Sequence, residues 1–183
     1  MRLFIAVPLP PAVRTAIADV LRRLKARDWP VRWVRDEGIH VSLKFYGEVT
    51  SDRVGAIGEM LDFAARGMAP MVLTPAGAGV FPAGGRPRVI RLDIEAAAEL
   101  ELLQDRIERG SDELGFPPEG RPFRPHVTLG RVREGHRLPD DWQRVLSGVP
   151  QGAAFLADRV VLYESQLSPN GPTYTARQEI RLA

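Results

Sequence analysis

The chain has 183 residues, of which 44% are hydrophobic, with a formal net charge of +2 and no cysteine. This composition fits one globular domain or two small lobes, and it excludes a polycationic nucleic-acid coat, a disulfide framework and thiol catalysis. The apolar start is too short for a secretory signal and no run is long enough to span a membrane. We expect a cytoplasmic protein that is a monomer and has no membrane partner.

Three segments carry apolar residues at helical spacing and are predicted as helices. Ser51 is the candidate N-cap of the second of them, because its hydroxyl suits the first unpaired backbone amides of a helix. The apolar stripes are interpreted as core positions without a cofactor role. The predicted helices follow Pro10-Pro11 and end before Trp29, follow Ser51 and close near Gly67, and extend from about Ala96 to Leu114.

Segments rich in β-branched and aromatic residues predict eight strands. Several connections between them are too short for crossover helices, so the sequence favours an α+β fold over a parallel sheet. Pro82 to Pro87 and Arg133 to Asp141 are interpreted as loops, with His136 exposed in the second. The predicted strands are Leu3 to Val7, Val31 to Val34, Ile39 to Tyr46, Val72 to Val80, Val89 to Ile94, His126 to Val132, Phe155 to Tyr163 and Tyr174 to Leu182.

Two of the three histidines occur in nearly identical segments, His40 to Leu43 and His126 to Leu129, each with a hydroxyl residue two positions after the histidine. Side chains alternate along a strand, so each imidazole and its hydroxyl share one face, with apolar residues on the other. A pair of imidazoles near neutral pH can supply one general base and one general acid. Neighbouring hydroxyls can donate to phosphoryl oxygens, so the pattern predicts displacement at a phosphodiester.

A metal site is the competing interpretation, because histidine is a frequent zinc ligand. Asp36, Glu37 and Glu48 flank the first motif and offer further ligands. The chain has no cysteine and no histidine pair at metal-binding spacing, which favours acid–base chemistry without a metal or other cofactor. A single such motif would more often be a structural histidine, and the repetition argues against that alternative.

The paired motifs resemble the defining pair of the two-histidine (2H) phosphoesterase superfamily, and the surrounding sequence resembles its bacterial and archaeal RNA 2′,3′-cyclic phosphodiesterase branch, also called 2′-5′ RNA ligase. Relatives usually have threonine in place of Ser42, and often tryptophan or another apolar residue where the stretch Arg88 to Leu92 has an arginine. The resemblance is carried by Arg2 to Ala6, Ile39 to Glu48, Phe123 to Arg131, Leu162 to Ser165, Gly171 and Tyr174.

The resemblance implies a single bilobal catalytic domain over residues 1–183, with two pseudo-symmetric lobes. Each lobe would be an antiparallel sheet backed by helices, and the active-site cleft would lie between the lobes with one motif from each. By the same resemblance, His126 activates water and His40 protonates the departing 3′ oxygen, although the two roles are interchangeable. Ser42, Thr128 and Arg131 would bind the phosphoryl oxygens.

Three aromatic residues are weaker candidates for the substrate site. Phe45 and Tyr46 follow the first motif, and one of them is suited to stack on a nucleobase. Tyr174 follows a turn at Ser168 to Gly171 and is placed at the cleft edge. Packing within the protein is the alternative for all three.

The predicted activity is hydrolysis of a terminal RNA 2′,3′-cyclic phosphate to a 2′-phosphate, with weak 2′-5′ ligation as its reverse. The predicted partner is RNA with such an end, tRNA halves being one candidate. Two alternatives remain: hydrolysis of cyclic nucleotides or 2′-5′ oligonucleotides by the same groups, and a non-catalytic module that binds RNA ends.

Overall fold

The computed structural model describes residues 1–95, 97–168 and 171–183, and of Glu37 only the backbone. The helices are α1 (Pro11–Lys25), α2 (Val54–Ala65), α3 (Ala98–Glu113) and α4 (Trp142–Ser147), with 3-10 turns at Asp36–Gly38 and Ser51–Arg53. The strands are β1 (Arg2–Pro8), β2 (Val31–Trp33), β3 (His40–Glu48), β4 (Met71–Leu73), β5 (Pro75–Phe81), β6 (Val89–Ile94), β7 (His126–Val132), β8 (Phe155–Ala157), β9 (Arg159–Ser168) and β10 (Gly171–Arg181).

The large sheet has the strand order β10-β9-β1-β3-β7-β6-β5, and β2 adds to β7. Every strand pairing described is antiparallel, which confirms the α+β prediction. β3 and β7 meet through the single described register pair Val41 with Val127. This pair joins two halves, β10-β9-β1-β3 and β2-β7-β6-β5, that match the two expected lobes and carry one motif each.

Helices back both halves of the sheet. α2 packs on β9 and β10, and α3 packs on β3 and on α2, while α4 packs on β5. The end of α1 approaches the start of α4 through an ion pair of 3.9 Å between Arg27 Nη1 and Asp141 Oδ2. α1 buries Ile17, Leu21 and Leu24, in agreement with its predicted apolar stripe.

Two of the predicted strands are each split in the structure. Val72 to Val80 divides at Thr74 into β4 and β5, and Phe155 to Tyr163 divides at Asp158 into β8 and β9. β4 and β8 pair with each other in a separate two-stranded sheet before the chain rejoins the large one. Residue preferences along a strand do not reveal a change of pairing partner, which explains why each split was missed.

The helix predictions hold for position but differ at some ends. Ser51 begins a 3-10 turn without a side-chain capping bond, so its prediction as an N-cap is wrong. The helix α4 was not predicted, because six residues are too few for a periodic signal. Ala96, the expected start of the third helix, and Pro169 and Asn170, in the expected turn, lie outside the described residues.

The strand β3 is anchored on its apolar side by a buried ion pair. Lys44 is 2% exposed, and its Nζ donates to Glu108 Oε2 at 2.7 Å and to the Pro117 carbonyl at 2.8 Å. A buried ammonium is tolerated where it is paired and hydrogen-bonded in this way. Val41 and Leu43 are buried as well. These contacts hold the first motif strand against α3.

Candidate active site

A cleft of about 960 Å³ opens along the two motif strands. His40 and Ser42 of the first motif line it, as do Thr128 and Arg131 of the second. His126 is not one of the lining residues, but its charge acts on the pKa of His40, so the two imidazoles lie within electrostatic reach. The structure therefore brings the two predicted motifs together at one site.

Each motif strand contains a β-bulge at the same position. In β3 the register passes from Ser42 opposite Ala6 to Lys44 opposite Ile5, which leaves Leu43 as the extra residue. A bulge reverses the facing of the residues that follow it, here as far as a second register shift at Tyr46. Phe45 therefore shares the cleft face with Ser42, and Lys44 is directed to the core.

The second motif strand contains a corresponding β-bulge. In β7 the register passes from Thr128 opposite Arg91 to Gly130 opposite Ile90, which leaves Leu129 as the extra residue. Arg131, five residues after the histidine, then reaches the cleft face, as Phe45 does in the first motif. Uninterrupted alternation would have directed both side chains to the core.

His40 is enclosed by aromatic rings. The ring centroid of Phe4 lies 4.9 Å away and that of Tyr163 6.2 Å away, while Tyr174 meets the imidazole edge-on at 5.4 Å. Burial and, second, the charge of His126 lower the pKa of His40 from 6.5 to about 4. The His40 imidazole is therefore neutral at neutral pH.

His126 is oriented by a backbone hydrogen bond. Its Nδ1 lies 2.8 Å from the Arg124 carbonyl oxygen. Since a carbonyl only accepts, Nδ1 carries the proton in the neutral ring and Nε2 keeps its lone pair. Burial lowers the pKa of His126, the Arg124 carbonyl and Asp93 oppose that effect, and Arg91 and Arg131 add to it.

Arg91 supports the surroundings of His126, a role that the sequence analysis did not assign. It is 8% exposed, its guanidinium carbon lies 3.7 Å from the ring centroid of Phe81, and its Nε donates to Asp93 Oδ1 at 2.5 Å. Phe81 in turn meets His126 edge-on at 5.1 Å, and Asp93 is the register partner of His126. The departure from relatives in the stretch Arg88 to Leu92 was the only sequence signal of this arrangement.

The cleft is electrostatically positive. Arg2, Arg32, Arg35 and Arg131 line it, and no aspartate or glutamate stands among its described lining residues. Burial raises the pKa of Tyr174, and the charges of Arg131, Arg35 and Arg2 oppose that rise. Such a surface attracts an anionic ligand.

The three aromatic candidates have different positions. Phe45 lines the cleft and is 55% exposed, with its ring 5.5 Å from Phe4, and Tyr174 also lines the cleft. Tyr46 is not a lining residue: its hydroxyl lies 2.8 Å from Ser111 Oγ and its ring packs edge-on against Phe116. Tyr46 therefore packs within the protein, which is the alternative to stacking on a nucleobase.

The described ranges contain neither a metal-binding cluster nor a membrane-spanning helix. No group of three or more histidine, aspartate or glutamate side chains there is arranged to hold a metal ion. Glu37, one of the three acidic residues that flank the first motif, has a side chain that is not among those described. Within the same ranges, no helix combines the length and apolarity needed to cross a membrane.

The sequence and the fold match known proteins along the whole chain. The family model described as LigT like Phosphoesterase matches twice, over residues 7–91 and 92–174, and each match contains one motif. The RNA 2′,3′-cyclic phosphodiesterase of Thermotoga maritima is 32% identical, covering 98% of this chain and 94% of the relative. That of Methanothermobacter thermautotrophicus is 34% identical and covers 100% and 99%.

Solved structures share the fold of this chain. A protein of Thermus thermophilus superposes with a TM-score of 0.83 at 30% identity, covering 100% of this chain and 98% of that one. Escherichia coli LigT, crystallised with 3′-AMP, superposes with a TM-score of 0.76 at 24% identity, covering 99% and 97%, and has the same fold.

Proposed function

The chain belongs to the LigT like phosphoesterase family, and we propose that it hydrolyses the terminal 2′,3′-cyclic phosphate of RNA to a 2′-phosphate. The observation that carries the proposal is the pair of motifs on one positive cleft, with the charge of His126 acting on His40. The named relatives act as RNA 2′,3′-cyclic phosphodiesterases, which supports the same substrate class.

His126 is the proposed general base and His40 the proposed general acid. Nε2 of His126 takes a proton from water as the water oxygen bonds to phosphorus. The bond from phosphorus to the 3′ oxygen breaks, and His40 gives that oxygen its proton. Ser42, Thr128 and Arg131 donate to the phosphoryl oxygens, where negative charge accumulates. The hydroxyl of the water molecule is thereby added to phosphorus and a proton to the 3′ oxygen. Proton exchange with solvent then returns His126 and His40 to their starting protonation states.

The acid role requires that His40 be protonated when substrate is bound. Burial and the charge of His126 hold the pKa of His40 at about 4 in the absence of an anion beside the ring. A bound phosphodiester brings a negative charge beside the ring, which favours the imidazolium and raises this pKa. Substrate binding and protonation of His40 are therefore coupled.

A substrate with sulfur in place of the bridging 3′ oxygen tests the two roles. A thiolate leaves without protonation, so His40→Ala should lose far less activity on this analogue than on the natural ester. His126→Ala should lose equally on both substrates. The opposite pattern would exchange the two roles, and equal losses for both variants on both substrates would contradict the acid–base assignment.

End-group analysis and a chelator test the rest of the proposal. The product should carry a 2′-phosphate, and turnover should persist in EDTA because no step uses a metal. A 3′-phosphate product would mean that the substrate binds in the opposite orientation, and activity restored only by zinc or magnesium would favour the metal alternative.

The reverse reaction, ligation of a cyclic phosphate end to a 5′-hydroxyl, is assayed on the same RNA, for which tRNA halves are one source.

The two alternatives are separated from this proposal by a substrate panel. Comparable turnover of RNA ends and of small cyclic nucleotides or 2′-5′ oligonucleotides would favour the broader phosphodiesterase. Tight binding of a cyclic RNA end without any turnover would favour the non-catalytic module. A monomeric state and a cytoplasmic location belong to the same proposal, and light scattering and cell fractionation test them.

A further inference from the structure

Two arginines with the same charge are direct neighbours on the cleft wall. Arg32 of β2 is the register partner of Arg131 of β7, and both residues line the cleft. Partners in an antiparallel pair have Cβ atoms about 5 Å apart, and like charges at this spacing destabilise a sheet. The arrangement is therefore unfavourable without a counterion.

Nothing in the described part of the chain neutralises this pair. The other two arginines of the cleft each have a partner within the protein. Arg2 Nε lies 3.8 Å from Glu48 Oε1, and Arg35 Nη2 donates to the Pro172 carbonyl oxygen at 3.4 Å. Arg32 and Arg131 have no comparable ion pair or side-chain hydrogen bond among the described residues. The guanidinium groups keep their donors for a ligand, and a phosphate accepts from such a fork in a bidentate manner.

The two arginines differ in their distance from the proposed reacting groups. Arg131 lies on the motif strand β7 itself, whereas Arg32 lies on β2, one strand away from His126. Arg32 therefore lies farther from the site of chemistry. The cleft of about 960 Å³ is also at the upper end of the size of small-molecule sites.

We propose that Arg32 binds a second phosphate, the phosphodiester that links the terminal nucleotide of the substrate to the preceding one. This inference rests on the proposed function and deepens it, because it makes the chain selective for oligonucleotide ends over cyclic mononucleotides. Arg131 binds the reacting phosphate, and its neighbour Arg32 binds the next one along the strand. The substrate's negative charges then relieve the repulsion between the two guanidinium groups.

The test compares three substrates that share the same terminal 2′,3′-cyclic phosphate: a mononucleotide, a dinucleotide, and a dinucleotide whose internal linkage is a neutral methylphosphonate. We expect kcat/KM to be higher for the dinucleotide with the charged linkage. Arg32→Gln should lower kcat/KM for that substrate about tenfold, with little change for the other two. It should also make the salt dependence for the charged dinucleotide less steep.

A matched control removes one positive charge elsewhere. Arg23 is exposed on α1 and does not line the cleft, so Arg23→Gln keeps the same net charge as Arg32→Gln. We expect this control to behave like the wild type on all three substrates. An equal loss for both variants would assign the effect to overall charge and overturn the subsite.

Two further results would overturn the proposal. Equal losses on all three substrates in Arg32→Gln would place Arg32 on the reacting phosphate, and unchanged kinetics would remove it from binding. If the wild type turns over none of the substrates, the proposed function fails instead. In that case the subsite is tested by measuring the Kd of a 2′-phosphorylated dinucleotide and of the matching mononucleotide by calorimetry. Arg32→Gln must abolish the tighter binding of the dinucleotide. An unchanged ratio of the two Kd values would exclude the subsite.

Discussion

Val41 and Val127 are direct partners in the sheet, and each follows the histidine of its motif. An antiparallel pair of equivalent residues has a local twofold axis between them, so the two motifs are arranged symmetrically about this point. The bulges at Leu43 and Leu129 obey the same symmetry. This relationship explains how segments more than eighty residues apart along the chain place their histidines within electrostatic reach of each other.

Removal of either motif histidine should nearly abolish turnover. We expect His40→Ala and His126→Ala each to lower kcat by ~10²–10⁴ on a dinucleotide with a cyclic phosphate end, because each variant lacks one proton-transfer group. The third histidine supplies the control. His136 is exposed, and His136→Ala should retain full activity. Near wild-type turnover in a folded His40 or His126 variant would exclude that histidine from the mechanism.

His40 should make the protein less stable in mild acid. Its folded pKa of about 4 lies below the unfolded value of 6.5, so the unfolded state binds the proton first as the pH falls. The contribution of His40 to the free energy of unfolding therefore keeps its full value above pH 6.5. It falls progressively as the pH drops from 6.5 toward 4, by at most about 3 kcal/mol. His40→Gln should therefore show a smaller loss of unfolding free energy between pH 7.5 and pH 4.5, measured by urea denaturation. An unchanged pH dependence would contradict the burial of a neutral imidazole.

Arg91 and Asp93 should shift the pKa of His126 in opposite directions. The positive charge of Arg91 lowers this pKa and the carboxylate of Asp93 raises it. Accordingly, Arg91→Met should raise the pKa of His126, and Asp93→Asn should lower it. NMR titration of the imidazole Cε1 proton measures both, and the chain's three histidines allow assignment by single substitution. Shifts in the same direction, or none, would show that the pair acts only on packing.

The acid limb of kcat/KM provides a second measure of this effect. If His126 is the base, the limb should move to higher pH in Arg91→Met and to lower pH in Asp93→Asn, because the base acts in its neutral form. A limb that stays in place while the NMR pKa moves would show that His126 does not control this limb.

The two motif hydroxyls should each contribute to the rate. Ser42→Ala and Thr128→Ala each remove a donor to the phosphoryl oxygens, and we expect a loss of about tenfold or more, with a larger loss in the double variant. Ser42→Thr retains the hydroxyl and restricts its rotamer, so it should be tolerated. Melting temperature and turnover are measured on the same samples. A stable, fully active double alanine variant would exclude both hydroxyls from phosphate binding.

Much of the fold, and the placement of both motifs on one cleft, was predictable because the signals are local. The repeated histidine and hydroxyl spacing, the helical apolar stripes and the short connections depend on residue type and period along one segment. For this reason three helices, the α+β class and the strands of both motifs follow from the residues, and the antiparallel sheets from the family resemblance. The six-residue helix α4 and the splits at Thr74 and Asp158 lack such a signal.

The tertiary structure alone decided which further side chains reach the cleft. By alternation from His40 and His126, Tyr46 would face the cleft, and Phe45 and Arg131 the core; the structure has the reverse. The cause is the extra residue Leu43, with a second at Tyr46, in β3 relative to β1, and the extra residue Leu129 in β7 relative to β6. A β-bulge is a property of two paired strands, so neither strand's own sequence determines it. The proximity of Arg32 to Arg131 depends in the same way on the pairing of β2 with β7, which brings together residues 99 positions apart along the chain.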